Sequence, residues 1–216
     1  MGELNQAIRN IPMPAKIGRL RVSNRGFPVP WFVQWYGDEP DFRVIAPGKM
    51  GLAHNKRLCW ICGEPLGRFL AFVIGPMCAI NRVSSEPPSH RECAEYAAKA
   101  CPFLSNPRMR RNENDLPEEG GVAGIHIAHN PGVTLVYVAH DYRPIRDHAG
   151  GVLFELGMPV SAVFYCQGRT ATRAEVLAAI DKGLPFLREH AAAEGPEAVA
   201  ALNQYIRRGM ELVPAA

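Results

Sequence analysis

Two short cysteine-containing motifs constrain this chain more than any other feature. Cys59 and Cys62 are separated by two residues, as are His90 and Cys93, and 27 residues lie between the pairs. Two intervening residues let one turn of backbone present both ligand atoms to one point, which is the spacing that tetrahedral zinc requires. Gly63 follows the first pair and permits the left-handed backbone that closes such a turn. The second pair opens a predicted helix. Ser89 can cap it, residues 94–100 are rich in strong helix formers, and positions three apart share a helical face. Three thiolates and one imidazole fill a tetrahedral site and leave no position for water, so the expected zinc is structural. An iron–sulfur cluster on Cys59, Cys62, Cys93 and either Cys78 or Cys101 is the rival reading. Ordinary buried cysteines at this spacing by chance are a third. A redox Cys-x-x-Cys is disfavoured, because such a motif begins a helix and here Gly63-Glu64-Pro65 follows. Cys78, Cys101 and Cys166 are expected as small buried hydrophobes.

Between the pairs, residues 68–74 read as a buried strand, Gly75-Pro76 as a turn and residues 77–80 as a returning strand. The order of cysteine turn, β-hairpin and ligand-bearing helix resembles the treble-clef zinc finger family over residues 57–102. The resemblance implies a small zinc-centred unit held by Cys59, Cys62, His90 and Cys93. It implies no single activity, since the family includes ribosomal, DNA-binding, ubiquitin-related and nuclease members. The nuclease members carry a catalytic histidine on the hairpin. Residues 68–82 contain none, so the resemblance argues against a nuclease.

The fold class expected for the whole chain is α+β. An N-terminal β-rich zinc module (residues 1–111) would be followed by an antiparallel sheet with a C-terminal helical segment (residues 112–216). Residues 17–22 read as a short strand. Residues 29–36 and 42–46 form a predicted hairpin around the turn-forming Gly37-Asp-Glu-Pro-Asp41. Residues 105–121 are polar, punctuated by Pro and Gly, and read as a linker or exposed loop. Residues 133–139, 152–156 and 160–165 alternate or run apolar and predict an antiparallel meander. Thr172-Arg-Ala-Glu175 is a capping box. Helices are expected at 172–182, 185–194 and 196–212, with Gly183 as a C-cap and Pro185 and Pro196 in first turns.

Hydrophobic residues at 47% and charged residues at 21% exclude a largely disordered chain. No apolar run approaches the roughly 20 residues of a membrane span, and the first residues lack a secretory pattern, so a cytoplasmic location is expected. The net charge of +3 is unevenly distributed. Residues 1–111 carry 16 Lys and Arg against 8 Asp and Glu, whereas residues 112–216 carry 8 against 13. Arg19, Arg21, Arg25, Lys56, Arg57, Arg108, Arg110 and Arg111 are the candidate phosphate contacts of a nucleic-acid partner. They can equally be solvated charges facing the acidic half, since no run reaches five like charges. Trp31, Phe32, Trp35 and Tyr36 can stack on bases or form core.

The leading functional expectation is a non-catalytic, zinc-stabilised module that binds nucleic acid. One alternative is a protein–protein adaptor, in which the zinc unit and the acidic tail each contact a protein partner. A further alternative is an enzyme with a site near His126, His140, Asp141 and Arg143. His126 and His129 have metal-ligand spacing only on a helix or turn, and a strand or loop is expected there. Phosphate-binding glycine loops and a Gly-x-Ser-x-Gly nucleophile elbow are both missing from the sequence.

Overall fold

In the computed structural model, which describes residues 3–110, 112, 130–147 and 150–215, the elements follow in this order. A hairpin of β1 (Val33–Tyr36) and β2 (Glu39–Ile45) leads to α1 (Lys49–Lys56). Next come β3 (Leu70–Ile74), α2 (Pro76–Asn81), β4 (Val83–Ser84), α3 (Arg91–Ala100) and the short α4 (Pro102–Ser105). The remainder is β5 (Thr134–Ala139), β6 (Tyr142–Arg146), β7 (Val152–Leu156), β8 (Pro159–Cys166), β9 (Arg169–Thr170), α5 (Arg173–Glu194) and α6 (Pro196–Met210). The protein is a mixture of helix and antiparallel sheet. Arg111, residues 113–129 with His126 and His129, and His148 lie outside the described residues.

Side-chain alternation along β3 explains the layering. Leu70, Phe72 and Ile74 point to one face of a four-stranded sheet ordered β3-β5-β8-β9, while Ala71 and Val73 point to the other. On the first face they meet Met77 and Ile80 of α2, Val176, Ile180 and Leu184 of α5, and Leu202 of α6. On the second face Ala71, Val136 and Val138 meet Ala94 and Ala98 of α3. Small residues on both sides let α3 lie close to the sheet. The helix bearing two of the four candidate ligands is thereby fixed to a rigid plane. Each large side chain buried on the first face contributes about 1.5–3 kcal/mol.

The structure corrects several expectations. Residues 77–80 do not return as a strand. Gly75 is extended, Pro76 occupies the first helical turn, and residues 76–81 form α2. The strand before it pairs in full with β5, from Leu70 against Ala139 to Ile74 against Leu135. The hairpin of the treble-clef order therefore does not form. Residues 17–22 are not a strand either: Ile17–Arg19 is one 3-10 turn, and only Val22 makes a bridge, with Pro28. The meander is also broken. β6 and β7 form a hairpin that leaves the large sheet and joins β4 in a second, three-stranded sheet, so β5 pairs with β8 instead.

The helices expected at 172–182 and 185–194 are one helix, with Pro185 inside it. Gly183 is a packing residue here, not a cap: a Cβ there would meet the Met77 sulfur at 2.6 Å. A Cβ on Gly209 of α6 would likewise meet Ile80 at 2.8 Å. The two glycines let α2 sink between α5 and α6. The capping box at Thr172 forms as read from the sequence, with both reciprocal hydrogen bonds present.

Candidate metal centre

The first ligand pair sits on a tight antiparallel turn. Leu58 bridges Pro65, Cys59 N–H donates to Glu64 O at 2.8 Å, and Leu66 N–H donates to Arg57 O at 2.8 Å. Gly63 closes the turn at φ +77°, its N–H donating to Cys59 O at 2.8 Å. The Trp31 ring covers Gly63 so closely that a Cβ would lie 2.5 Å from it. Both the backbone angle and the ring require glycine at this position. The second pair comes from the start of α3, where His90 is the N-cap residue and Cys93 lies in the first turn.

These elements bring Cys59 Sγ, Cys62 Sγ, Cys93 Sγ and a His90 ring nitrogen within 4.8 Å of one another, and all four residues are buried. His90 Nδ1 lies 3.4 Å from Cys62 Sγ and 3.9 Å from Cys93 Sγ. A tetrahedral ion with bonds of about 2.3 Å to sulfur and about 2.0 Å to nitrogen requires N–S edges of about 3.5 Å. The donors therefore fit such an ion closely. His90 Nε2 is 2.9 Å from Pro65 O. A carbonyl only accepts, so Nε2 carries the proton and Nδ1 turns its lone pair toward the sulfurs. This is the outer partner that metal-bound histidines usually have.

One of the sulfurs is prepared as a thiolate. Hydrogen bonds from the Cys62 and Cys93 thiols, joined by the backbone N–H groups of Cys62 and His90, hold the Cys59 thiol well below its ordinary range. Sharing a proton with Cys59 in turn pushes Cys62 up to about 11 and raises Cys93 further. A divalent cation bound there would replace the shared protons and leave all three sulfurs as thiolates. Ile8, Ile17, Ile61 and Tyr96 pack around the cluster. The N-terminal segment thus wraps the centre, which its irregular sequence gives no reason to expect. Neither Cys78, exposed on α2, nor the half-buried Cys101 joins the four ligands. Cys78 is thus not the buried hydrophobe its sequence setting suggests, whereas Cys166 is buried.

The candidate basic residues divide into two places. Arg19 pairs with Glu64 on the cysteine turn at 3.4 Å. Arg57 is joined through its carbonyl to Leu66, and Lys56 precedes it at the end of α1; both are exposed. Arg21 pairs with Asp38 at 3.0 Å and lies 3.9 Å over the Trp35 ring, and Arg25 is exposed nearby. Arg108 and Arg110 are exposed beyond α4, past the opposite end of α3 from the ligands. Sequence reasoning overlooked four cations beside the centre. Lys16 pairs with Glu92 in the first turn of α3 at 3.0 Å, and Arg91 follows His90 directly. Arg68 is exposed just beyond the cysteine turn, and Lys49 lies 3.7 Å over the Trp31 ring. Proximity in sequence to the ligands was the available signal for Arg68 and Arg91.

Of the aromatic residues, Phe32 stacks on Trp60 with centroids 4.4 Å apart, and Tyr36 is exposed. Of the alternative catalytic group, His140, Asp141 and Arg143 lie among the described residues. His140 rests on Phe69 at 5.1 Å, the Asp141 carbonyl accepts from Gly157, and Arg143 pairs with Glu155 across the strand. No helix among the described residues is long and apolar enough to cross a membrane. Comparison with protein-family models, with curated proteins and with solved structures finds no match to this chain, so its reading rests on the buried Cys3His site, whose four donors stand close enough together to hold a metal ion.

Proposed function

We propose that the protein is a non-catalytic nucleic-acid-binding module whose binding face is framed by a structural zinc. The donor set favours zinc: three thiolates and an imidazole in tetrahedral reach suit it, and four protein ligands leave no position for a reacting water. The zinc would supply cross-linking, tying the cysteine turn to the start of α3, while the chain's own cations supply recognition.

The observation that carries the reading is the charge surrounding the centre. Lys16, Arg19, Lys49 and Arg57 are tied to the cysteine turn or to the helix start by the contacts given above, and Arg68 and Arg91 lie beside them in the chain. The carboxylates drawn into the same rim are Glu64, Glu92 and Glu95, paired with Arg19, Lys16 and Arg91. Six cations against three carboxylates leave a positive surplus on a frame that cannot spread apart. Exposed ion pairs of this type are worth about 0–1 kcal/mol, so a phosphate can displace a carboxylate partner at small cost.

Metal analysis and a salt titration test the reading together. Purified protein should carry about one zinc per chain. Binding to short DNA and RNA should weaken linearly in log K against log salt, with a slope set by the number of phosphates neutralised. No binding at ~50 mM salt by metal-loaded protein removes the proposal.

A further inference from the structure

An open cleft of about 650 Å³ lies against the metal centre, with His90 in its lining. Its floor is sheet, where β5 and β8 contribute Val138 and Val160. One wall is the segment after the cysteine turn, with Arg68 and Phe69. The facing wall is the start of α3 with Arg91, and Lys16 closes the rim.

Two features are unusual for a plain surface hollow. Phe69 is 52% exposed and Val160 48% exposed, so large apolar side chains are left uncovered inside a cationic rim. Phe69 is also held in place, its ring lying 5.1 Å from that of His140 at 36°. Arg68 has no carboxylate partner among the described residues, whereas Lys16 and Arg91 are engaged by Glu92 and Glu95.

Building on the function proposed above, we infer that this cleft seats one unpaired nucleotide of a single strand. The base lies on the Phe69 ring and the apolar floor, and its phosphate meets Arg68 and Arg91. The volume is within the usual range for a small-ligand site, about 300–1,000 Å³. A duplex keeps its base faces stacked and presents phosphates and groove edges, which have no use for an exposed ring on an apolar floor. A single strand offers a free π-face to every such ring, with little regard to sequence. The zinc fixes one wall relative to the floor, because His90 and Arg91 are consecutive residues at the start of a helix packed on the sheet.

Fluorescence anisotropy on the metal-loaded full chain tests this, using a short labelled oligothymidylate and a short blunt duplex at ~50 mM salt. The single strand should bind about tenfold tighter than the duplex. Phe69→Ala should weaken it by about tenfold and leave the salt slope unchanged, while Phe69→Tyr keeps most of the affinity. Arg68→Gln should reduce the magnitude of the salt slope by about one phosphate contact. Unchanged metal content in each variant establishes that the frame is intact. Salt-dependent binding that ignores Phe69→Ala, or that favours the duplex, overturns the cleft assignment and leaves the broader nucleic-acid reading standing. Absence of binding to both probes removes both.

Discussion

On the α2–α5–α6 side of the sheet, 22 buried residues among those described form one apolar cluster that includes Phe72, Tyr137, Phe154 and Phe164. Around the candidate metal centre the corresponding cluster has 8 buried residues among those described, and 3 of these are cysteines. The first region has ample area to hold itself by the hydrophobic effect. The second surrounds its cysteines with a segment rich in Pro, Gly and Asn that contains one 3-10 turn and little other regular structure. Such a segment cannot offset its ordering entropy by burial alone. The difference gives a reason for where the four donors stand: an ion held there would cross-link the region in which the chain supplies least apolar surface.

Removing the ion should separate the two regions most strongly. Chelation, or Cys59→Ser, should abolish stoichiometric zinc and cost the N-terminal region the roughly 10–16 kcal/mol associated with a structural site. Amide hydrogen exchange should then rise throughout residues 3–66, while β5 and β8 keep most of their protection. Native protection around the cysteine turn in metal-free protein would show that apolar packing suffices there, and the contrast would fail.

The reciprocal perturbation is Phe72→Ala, in the larger core, where the side chain is 1% exposed. A cavity there should cost about 3–5 kcal/mol in a denaturant titration. Zinc content in the native baseline should remain unchanged. Loss of the metal together with the core would mean that the two regions unfold as one.

The sequence made the ligands legible for a reason that also explains what stayed hidden. Cys59, Cys62, His90 and Cys93 are spaced by local backbone geometry, so two-residue gaps identify them without knowledge of the fold. The Thr172–Glu175 capping box and the β1–β2 hairpin are local in the same sense. Residues 76–81 are different. A short apolar run after Gly-Pro fits a strand or a helix equally well, and what decides it is the groove offered by Gly183 and Gly209, more than a hundred residues away. β6 went unread because Tyr142-Arg-Pro-Ile-Arg146 is polar enough to resemble a site. Pro185 suggested a helix start, yet tertiary packing of Ile180 and Leu184 carries α5 through it. The cleft was invisible because its walls come from residues near 16, 68, 91, 138 and 160, which only the folded sheet brings together.

A smaller effect distinguishes geometry from composition at the metal turn. Gly63→Ala leaves all four ligands in place but forces a side chain to φ +77° and into the Trp31 ring. It should destabilise by about 1–3 kcal/mol. The loss should appear as weaker zinc retention in a chelator competition, with the β5–β8 sheet unaffected. Equal retention would mean that Trp31 moves aside freely and that the turn is not preformed.

The smallest effect lies at the start of α5, where stability depends on polar caps and not on an ion. Thr172→Ala removes a side chain that accepts from Glu175 N–H, and should cost about 1 kcal/mol. The pH dependence separates the cap from simple packing. Arg169 beside Glu175, together with Thr172 N–H, holds this carboxyl well below the usual carboxylate range in the folded chain. An unfolded Glu titrates at about 4.3. The contribution of Glu175 is therefore complete above that value and fades as pH falls through the interval down to its folded pKa. Glu175→Gln should lower stability at neutral pH, and the difference from the parent should shrink in acid. A difference that stays constant with pH would assign the effect to packing of the side chain instead of its charge. Because this cap lies far from the cysteine turn in the chain, neither substitution should change zinc content, which keeps it as the internal control for the two-region contrast.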